Sequence, residues 1–158
     1  MASIYFQDHM KHNSCWGCGS SNEHGLKIKS YWDGDETVCI WQPKPYHHAV
    51  PETVLIGGLI CTIMDCHSIC TAIAHAYREE GRDLKNEPII WYVTGGINVS
   101  FLKPTPMGGP VKLRATIKEV KGKKTIVSCN LTSFNELCAT SEVTAVRVET
   151  DEWFKVHG

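Results

Sequence analysis

The sequence has little of what nucleic-acid-binding, exported or membrane-spanning chains usually carry. Charge of one sign is missing, because 16 Lys and Arg face 17 Asp and Glu, for a net charge of −1. This balance gives no broad attraction for a phosphate backbone. The most apolar stretch, 54–64, ends at Asp65 and falls short of the roughly 20 apolar residues of a membrane helix. The N-terminal residues lack the apolar run of a signal peptide. We therefore expect a cytoplasmic protein that binds neither nucleic acid nor membrane.

Internal repeats, low-complexity tracts and long linkers are also missing, which favours a single domain over residues 1–158. Residues 1–25 are polar and irregular, and residues 149–158 are expected to form a tail. Eight cysteines are present, but several lie within apolar patterns and no export signal accompanies them. We expect most of them to be reduced and buried.

Hydrophobic spacing predicts an α+β fold. Two strands flank Asp33-Gly34, which fits a tight hairpin turn. Apolar residues then recur every three or four positions from Gly57 to about Glu80, the period of a helix, and Gly81 is placed to end it. Strand-like runs follow at 89–94, 97–102, 111–120, 125–134 and 137–148. The economical arrangement is a curved antiparallel sheet wrapped around one long central helix, with a sheet edge left for a partner subunit.

Two features near the helix start suggest chemistry on a carbonyl group. Gly57 and Gly58 would let a ligand approach the free N–H groups of the first helical turn, which stabilise negative charge on an oxygen. Asp65 follows two turns later in an otherwise apolar helix, on the same flank as Ser68. A carboxylate is costly to bury there unless it is hydrogen-bonded or functional.

These residues carry a family resemblance. The stretch from Ile56-Gly57-Gly58 to Asp65 resembles the His-Gly-Gly motif and following acidic residue of hotdog-fold acyl-CoA thioesterases of the phenylacetate-degradation (PaaI-like) type. The segments 15–26 and 97–104 are similar to the Cys-Gly opening and to the strand after the helix in that family. The resemblance covers roughly residues 15–148. It implies a hotdog fold, assembled as a homodimer or homotetramer with active sites at the subunit interface.

The resemblance also implies an activity and its residues. The reaction would be hydrolysis of an acyl-CoA thioester, with no metal or organic cofactor. Gly57 would polarise the carbonyl, Asp65 of the facing subunit would activate water or act as the nucleophile, and Thr94 would orient either group. The expected substrate contacts are Gly58, Ile56, His48 and Ser68. Ile56 stands where the family motif has His, which leaves two alternatives open: an acyl-CoA binding or regulatory protein without turnover, and an acyl-thioester dehydratase.

A metal site is the rival interpretation of the N-terminal segment. Cys15, Cys18 and His24 supply three residues of the zinc-binding type, but the sequence shows no second Cys/His pair to complete four-coordination. A turn ordered by Gly17 and Gly19 is the favoured interpretation, and we predict no metal. His67 is expected to be a core or interface residue, because it points roughly 200° away from Asp65 around the helix.

Overall fold

The computed structural model describes residues 4–11 and 13–158. A short 3-10 helix, Phe6–His9, precedes the regular elements. In chain order these are β1 Ser30–Asp33, β2 Glu36–Trp41, α1 Gly57–Glu79, β3 Trp91–Phe101, β4 Val111–Lys121, β5 Lys124–Ser133, β6 Glu136–Val148 and α2 Thr150–His157. Gly34 in the first hairpin and Gly81 after α1 have φ of 65° and 63°, conformations that favour glycine.

The strands form one antiparallel sheet of six in the order β1-β2-β4-β5-β6-β3. Helix α1 packs against it, with side chains such as Ile63, Met64 and Ile73 lying almost fully buried between helix and sheet. By length and composition α1 would be apolar enough to cross a membrane. Its packing against the sheet accounts for that apolar character. The α+β architecture expected from the sequence, a sheet wrapped around one long helix, is confirmed.

Three details differ from the expectations. The runs 89–94 and 97–102 belong to a single strand, β3, whose pairing with β6 shifts register between Thr94 and Gly96. Gly95 allows this shift because a Cβ atom there would lie 2.7 Å from the Val146 side chain. The tail at 149–158 forms helix α2. None of the residues of α2 is buried, so the sequence there lacks the apolar stripe that marks a helix packed against a core. The N-terminal segment contains the short 3-10 helix.

A buried polar network joins α1 to the first hairpin. His67 is fully buried, and its Nδ1 and Nε2 lie 2.8 Å from Ser30 Oγ and 3.2 Å from Thr37 Oγ1. Gln7 donates to Ser30 Oγ, and the Thr71 hydroxyl bonds the His67 carbonyl. Burial lowers the pKa of His67 to about 4, opposed by a hydrogen bond to Thr37. His67 is thus a core residue that stays neutral, as its position around the helix predicted.

This burial makes stability depend on pH. The folded pKa of His67 lies below its ordinary value of 6.5, so the unfolded chain binds the proton first and acid favours unfolding. Stability from this residue is present above pH 6.5 and decreases by about 1 kcal/mol per pH unit as pH falls towards 4. Urea unfolding across this range is expected to show a flatter profile for His67→Gln than for the parent. Parallel profiles for the two proteins would contradict the assignment.

Candidate active site

The segment before α1 holds the start of the helix in place. Ile56 N–H donates to the His47 carbonyl at 3.1 Å, and Leu55 N–H donates to the Thr105 carbonyl at 2.8 Å. Leu55 is buried, whereas the Ile56 side chain remains 44% exposed. The helix therefore begins at a fixed position with its first residues at the surface.

The first turn of α1 presents unused backbone donors. Ile56, the N-cap, has extended backbone angles and no side-chain cap, and the first helical bond runs from Ile60 N–H to the Ile56 carbonyl. Among the described residues, the N–H groups of Gly57 and Gly58 have no hydrogen-bond partner. A Cβ atom at Gly57 would touch the Phe101 ring at 3.4 Å, whereas one at Gly58 would meet nothing within 4 Å. A ligand carbonyl has room to approach these donors.

Asp65 lies at the margin of α1 beside β3. The Thr94 hydroxyl donates to Asp65 Oδ1 at 2.8 Å. Partial burial raises the pKa of Asp65, while the Thr94 hydrogen bond opposes this and nearby Cys18 adds to it. A half-buried carboxylate with a raised pKa and a fixed orientation suits proton transfer.

Within one chain, the glycine donors and the carboxylate cannot act on the same carbonyl group. Gly57 and Asp65 are eight residues apart on one helix, which places them about 12 Å apart along its axis. A reacting carbonyl must lie about 3 Å from both its oxyanion donors and the attacking group. Within one chain, the donors and the carboxylate are therefore two separate groups.

The strand that carries Thr94 also forms an edge of the sheet. Among the described residues, β3 has a hydrogen-bonded neighbour only in β6. Its 11 residues include no charged side chain and no proline, and Ile97 and Phe101 are 43% and 54% exposed. Edge strands are usually shielded by charges, prolines or bulges, and of these β3 has only the register shift between Thr94 and Gly96. The edge of β3 is suited to pairing with another strand.

The remaining expected substrate contacts fall in different places. Ile56 and Gly58 lie at the exposed helix start, and half-buried His48 bonds the Ala49 carbonyl through Nδ1 at 2.7 Å. The expectation for Ser68 is wrong: its exposure is 0%, so a ligand cannot reach it. Ser68 follows Asp65 by three residues, so the two side chains point about 60° apart around α1. This difference is enough to place the Ser68 side chain in the core rather than at the helix margin.

A cysteine cluster beside Asp65 is the feature that sequence reasoning missed. The sulfurs of Cys15, Cys18 and Cys66 all lie within 4.8 Å of one another. His24, the third candidate ligand from the sequence, is not part of this group in the described chain. The four-residue spacing of Cys66 and Cys70, one helical turn, was the available signal for a second cysteine pair.

Removing the Thr94 hydroxyl is expected to shift the titration of Asp65. Thr94→Val deletes the hydrogen bond that stabilises the carboxylate, so the pKa of Asp65 should rise further. Thr94→Ser keeps a hydroxyl and serves as the control. Carbon-detected NMR titration of the Asp65 carboxyl checks both variants. Equal midpoints for Thr94→Val and the parent would show that the bond has no such effect.

Comparisons with known proteins place the fold in a wider context. No protein-family model matches the chain. A thioesterase superfamily protein from Shewanella loihica PV-4, of known crystal structure, is 34% identical, with 82% of this chain and 97% of that chain covered and a TM-score of 0.64. The PaaI protein of the E. coli phenylacetic acid degradation operon, at 12% identity, supports the fold alone, with 78% and 81% of the two chains covered and a TM-score of 0.62.

Two curated relatives extend the comparison. Acyl-coenzyme A thioesterase THEM4 of Bos taurus is 28% identical over 130 residues, which are 80% of this chain and 47% of the relative. The Mus musculus protein of the same name is 27% identical over 73% of this chain and 44% of its own length. The chain thus spans about half the length of the curated relatives it matches. With its hotdog fold and its similarity to the Shewanella protein over nearly all of that structure, the chain belongs to the thioesterase superfamily.

Proposed function

We propose that this protein hydrolyses acyl-CoA thioesters to a carboxylic acid and free coenzyme A. The observation that carries the proposal is the half-buried Asp65 carboxylate, oriented by Thr94 at 2.8 Å and raised in pKa by its burial. The glycine-rich start of α1 supports it by offering backbone donors with open space before them. Relatives named as acyl-coenzyme A thioesterases support the same substrate class.

In the proposed reaction, Asp65 accepts a proton from a water molecule whose oxygen attacks the thioester carbonyl carbon. The carbonyl oxygen becomes an oxyanion that accepts hydrogen bonds from the N–H groups of Gly57 and Gly58. When the carbon–sulfur bond breaks, the electron pair leaves with the sulfur of coenzyme A, and the proton held by Asp65 is available to it. Thr94 keeps the carboxylate oriented. The scheme uses no metal and no organic cofactor beyond the substrate's own coenzyme A.

The proposed active unit contains two copies of the chain, as a homodimer or as a pair of dimers. About 12 Å separates Gly57 from Asp65 along one helix, but antiparallel α1 helices related by a two-fold axis would bring Gly57 of one copy near Asp65 of the other. The uncharged edge of β3 is the surface that supports this pairing. We place the protein in the cytoplasm, consistent with its composition.

One observation favours a second candidate function. By the family resemblance, Ile56 stands where the thioesterase motif has histidine, and its side chain is 44% exposed at the helix start. A chain that binds acyl-CoA without turning it over would fit this substitution. The two functions differ in their products, because a binding protein returns its ligand unchanged.

A panel of short, medium, branched and aromatic acyl-CoAs tests the activity. Product acid should be read by mass spectrometry, because the chain's free cysteines would react with a thiol dye. Asp65→Asn should lower kcat about a hundredfold, the loss typical of a general base, and leave acyl-CoA binding intact. Binding of panel members without any acid product would support the binding protein instead.

Mixing two inactive variants tests the shared site. Asp65→Asn damages the carboxylate half, and Gly58→Val obstructs the donor half at a position where a side chain meets no neighbour. Subunits exchanged at equal ratio should regain about a quarter of the parent activity, because half of the dimers then hold one intact site of two. Mixing each variant with itself is the control. An unrecovered mixture, with exchange shown by native mass spectrometry, would place both halves of the site in one chain.

A further inference from the structure

The loop Cys15-Trp16-Gly17-Cys18-Gly19 closes tightly around a helix cysteine. Gly19 N–H bonds the Cys15 carbonyl at 2.8 Å. A Cβ atom at Gly19 would lie 2.4 Å from Cys15 N, and one at Gly17 would lie 2.3 Å from the Cys66 sulfur. Both positions therefore require glycine. The loop is shaped so that the sulfur of Cys66 reaches the space between Cys15 and Cys18.

Helix α1 carries a second pair of cysteines next to this loop. Cys66 and Cys70 are four residues apart and so lie on one face of the helix. The sulfurs of Cys15, Cys18 and Cys66 lie within 4.8 Å of one another, whereas the Cys70 thiol contacts Met10 Sδ at 4.0 Å. Asn13 Nδ2 also donates to Cys18 Sγ at 3.4 Å. Two cysteines from a tight loop and one from the helix thus surround a common point, and Cys70 lies one helical turn beyond it.

The sulfur spacing matches a metal-thiolate site. A tetrahedral zinc ion with Zn–S bonds of about 2.3 Å separates its sulfur ligands by about 3.8 Å. The Cys15 and Cys66 sulfurs are 3.8 Å apart, and the three sulfurs of Cys15, Cys18 and Cys66 share mutual distances below 4.8 Å. A Cys-x-x-Cys pair is a common half of a structural zinc site.

We propose that Cys15, Cys18 and Cys66 bind one structural zinc ion, and that the Cys70 thiol, one helical turn away, rotates from Met10 to supply the fourth ligand. The donor set of four thiolates is soft, which selects zinc over magnesium or calcium. The four ligands complete the coordination shell, so the site would be closed and structural rather than catalytic. The other cysteines, at positions 39, 61, 129 and 138, lie outside the cluster.

Such an ion would position the catalytic half of the proposed site. Cys66 is the neighbour of Asp65 on α1, and the loop of Cys15 and Cys18 lies outside the sheet. A metal bridge between them would fix the N-terminal segment against the helix at the turn that carries the carboxylate. The zinc proposal does not depend on the proposed hydrolysis, because its test measures metal rather than product.

Metal analysis of the full-length protein tests the site. Protein purified with a phosphine reductant and no chelator should contain about one zinc ion per chain by plasma mass spectrometry. Replacement with Co²⁺ should give thiolate-to-cobalt charge-transfer absorption and the intense visible bands of tetrahedral Co²⁺. Cys15→Ser and Cys66→Ser should each lower the zinc content below about a fifth of an ion per chain.

Matched variants separate metal binding from folding. Cys15 is exposed, so Cys15→Ser should retain the fold, which circular dichroism checks. Cys61→Ser, on the same helix but outside the cluster, should keep the full zinc content and the cobalt spectrum. Reduced parent protein that is folded yet takes up neither ion would overturn the proposal. Equal zinc in Cys66→Ser, bound iron in place of zinc, or a Cys15–Cys66 disulfide in fresh metal-free protein would also overturn it.

Discussion

Packing of α1 against the sheet determines where every candidate functional group lies. Ile63 and Met64 are fully buried, which fixes the rotation of the helix about its axis. With that rotation set, Asp65 falls at the helix margin next to Thr94, and Ser68 turns into the core. Burial of one face contributes most of the stability of a helix in a protein. The contacts that stabilise the fold therefore also fix the geometry of the site.

The edge of β3 and the start of α1 are two surface features that a single chain leaves uncovered. The strand that carries Thr94 is uncharged and has a free edge among the described residues, while Gly58 at the start of α1 faces open space. In a protein that acts as a single chain, an exposed sheet edge is normally protected. Both are accounted for if a second copy covers the edge and brings its own helix to the site. About 12 Å separates the donors from the carboxylate within one chain. Two-fold symmetry would then bring the donors of one copy close to the carboxylate of the other.

The neighbourhood of Asp65 contains two kinds of chemistry in adjacent residues. Asp65 faces Thr94 and β3, whereas Cys66, rotated by 100° on the helix, faces the loop of Cys15 and Cys18. The backbone of that loop is held by bonds from Leu26 N–H and Ile28 N–H to the carbonyls of residues 16 and 17. The N-terminal segment is thus part of the support for the carboxylate rather than an irregular extension.

The sequence alone determined the elements that depend on neighbouring residues. Helical spacing and the glycine after it predicted α1 almost to the residue, alternation predicted the strands, and Gly57 and Asp65 stood out as unusual in an apolar helix. Only the tertiary structure decided which distant residues meet. Ser68 was misplaced because a rotation of about 60° separates a helix margin from its core. The meeting of Cys66 with Cys15 and Cys18 depends on how a loop folds over a helix, and periodicity records local geometry but not such packing.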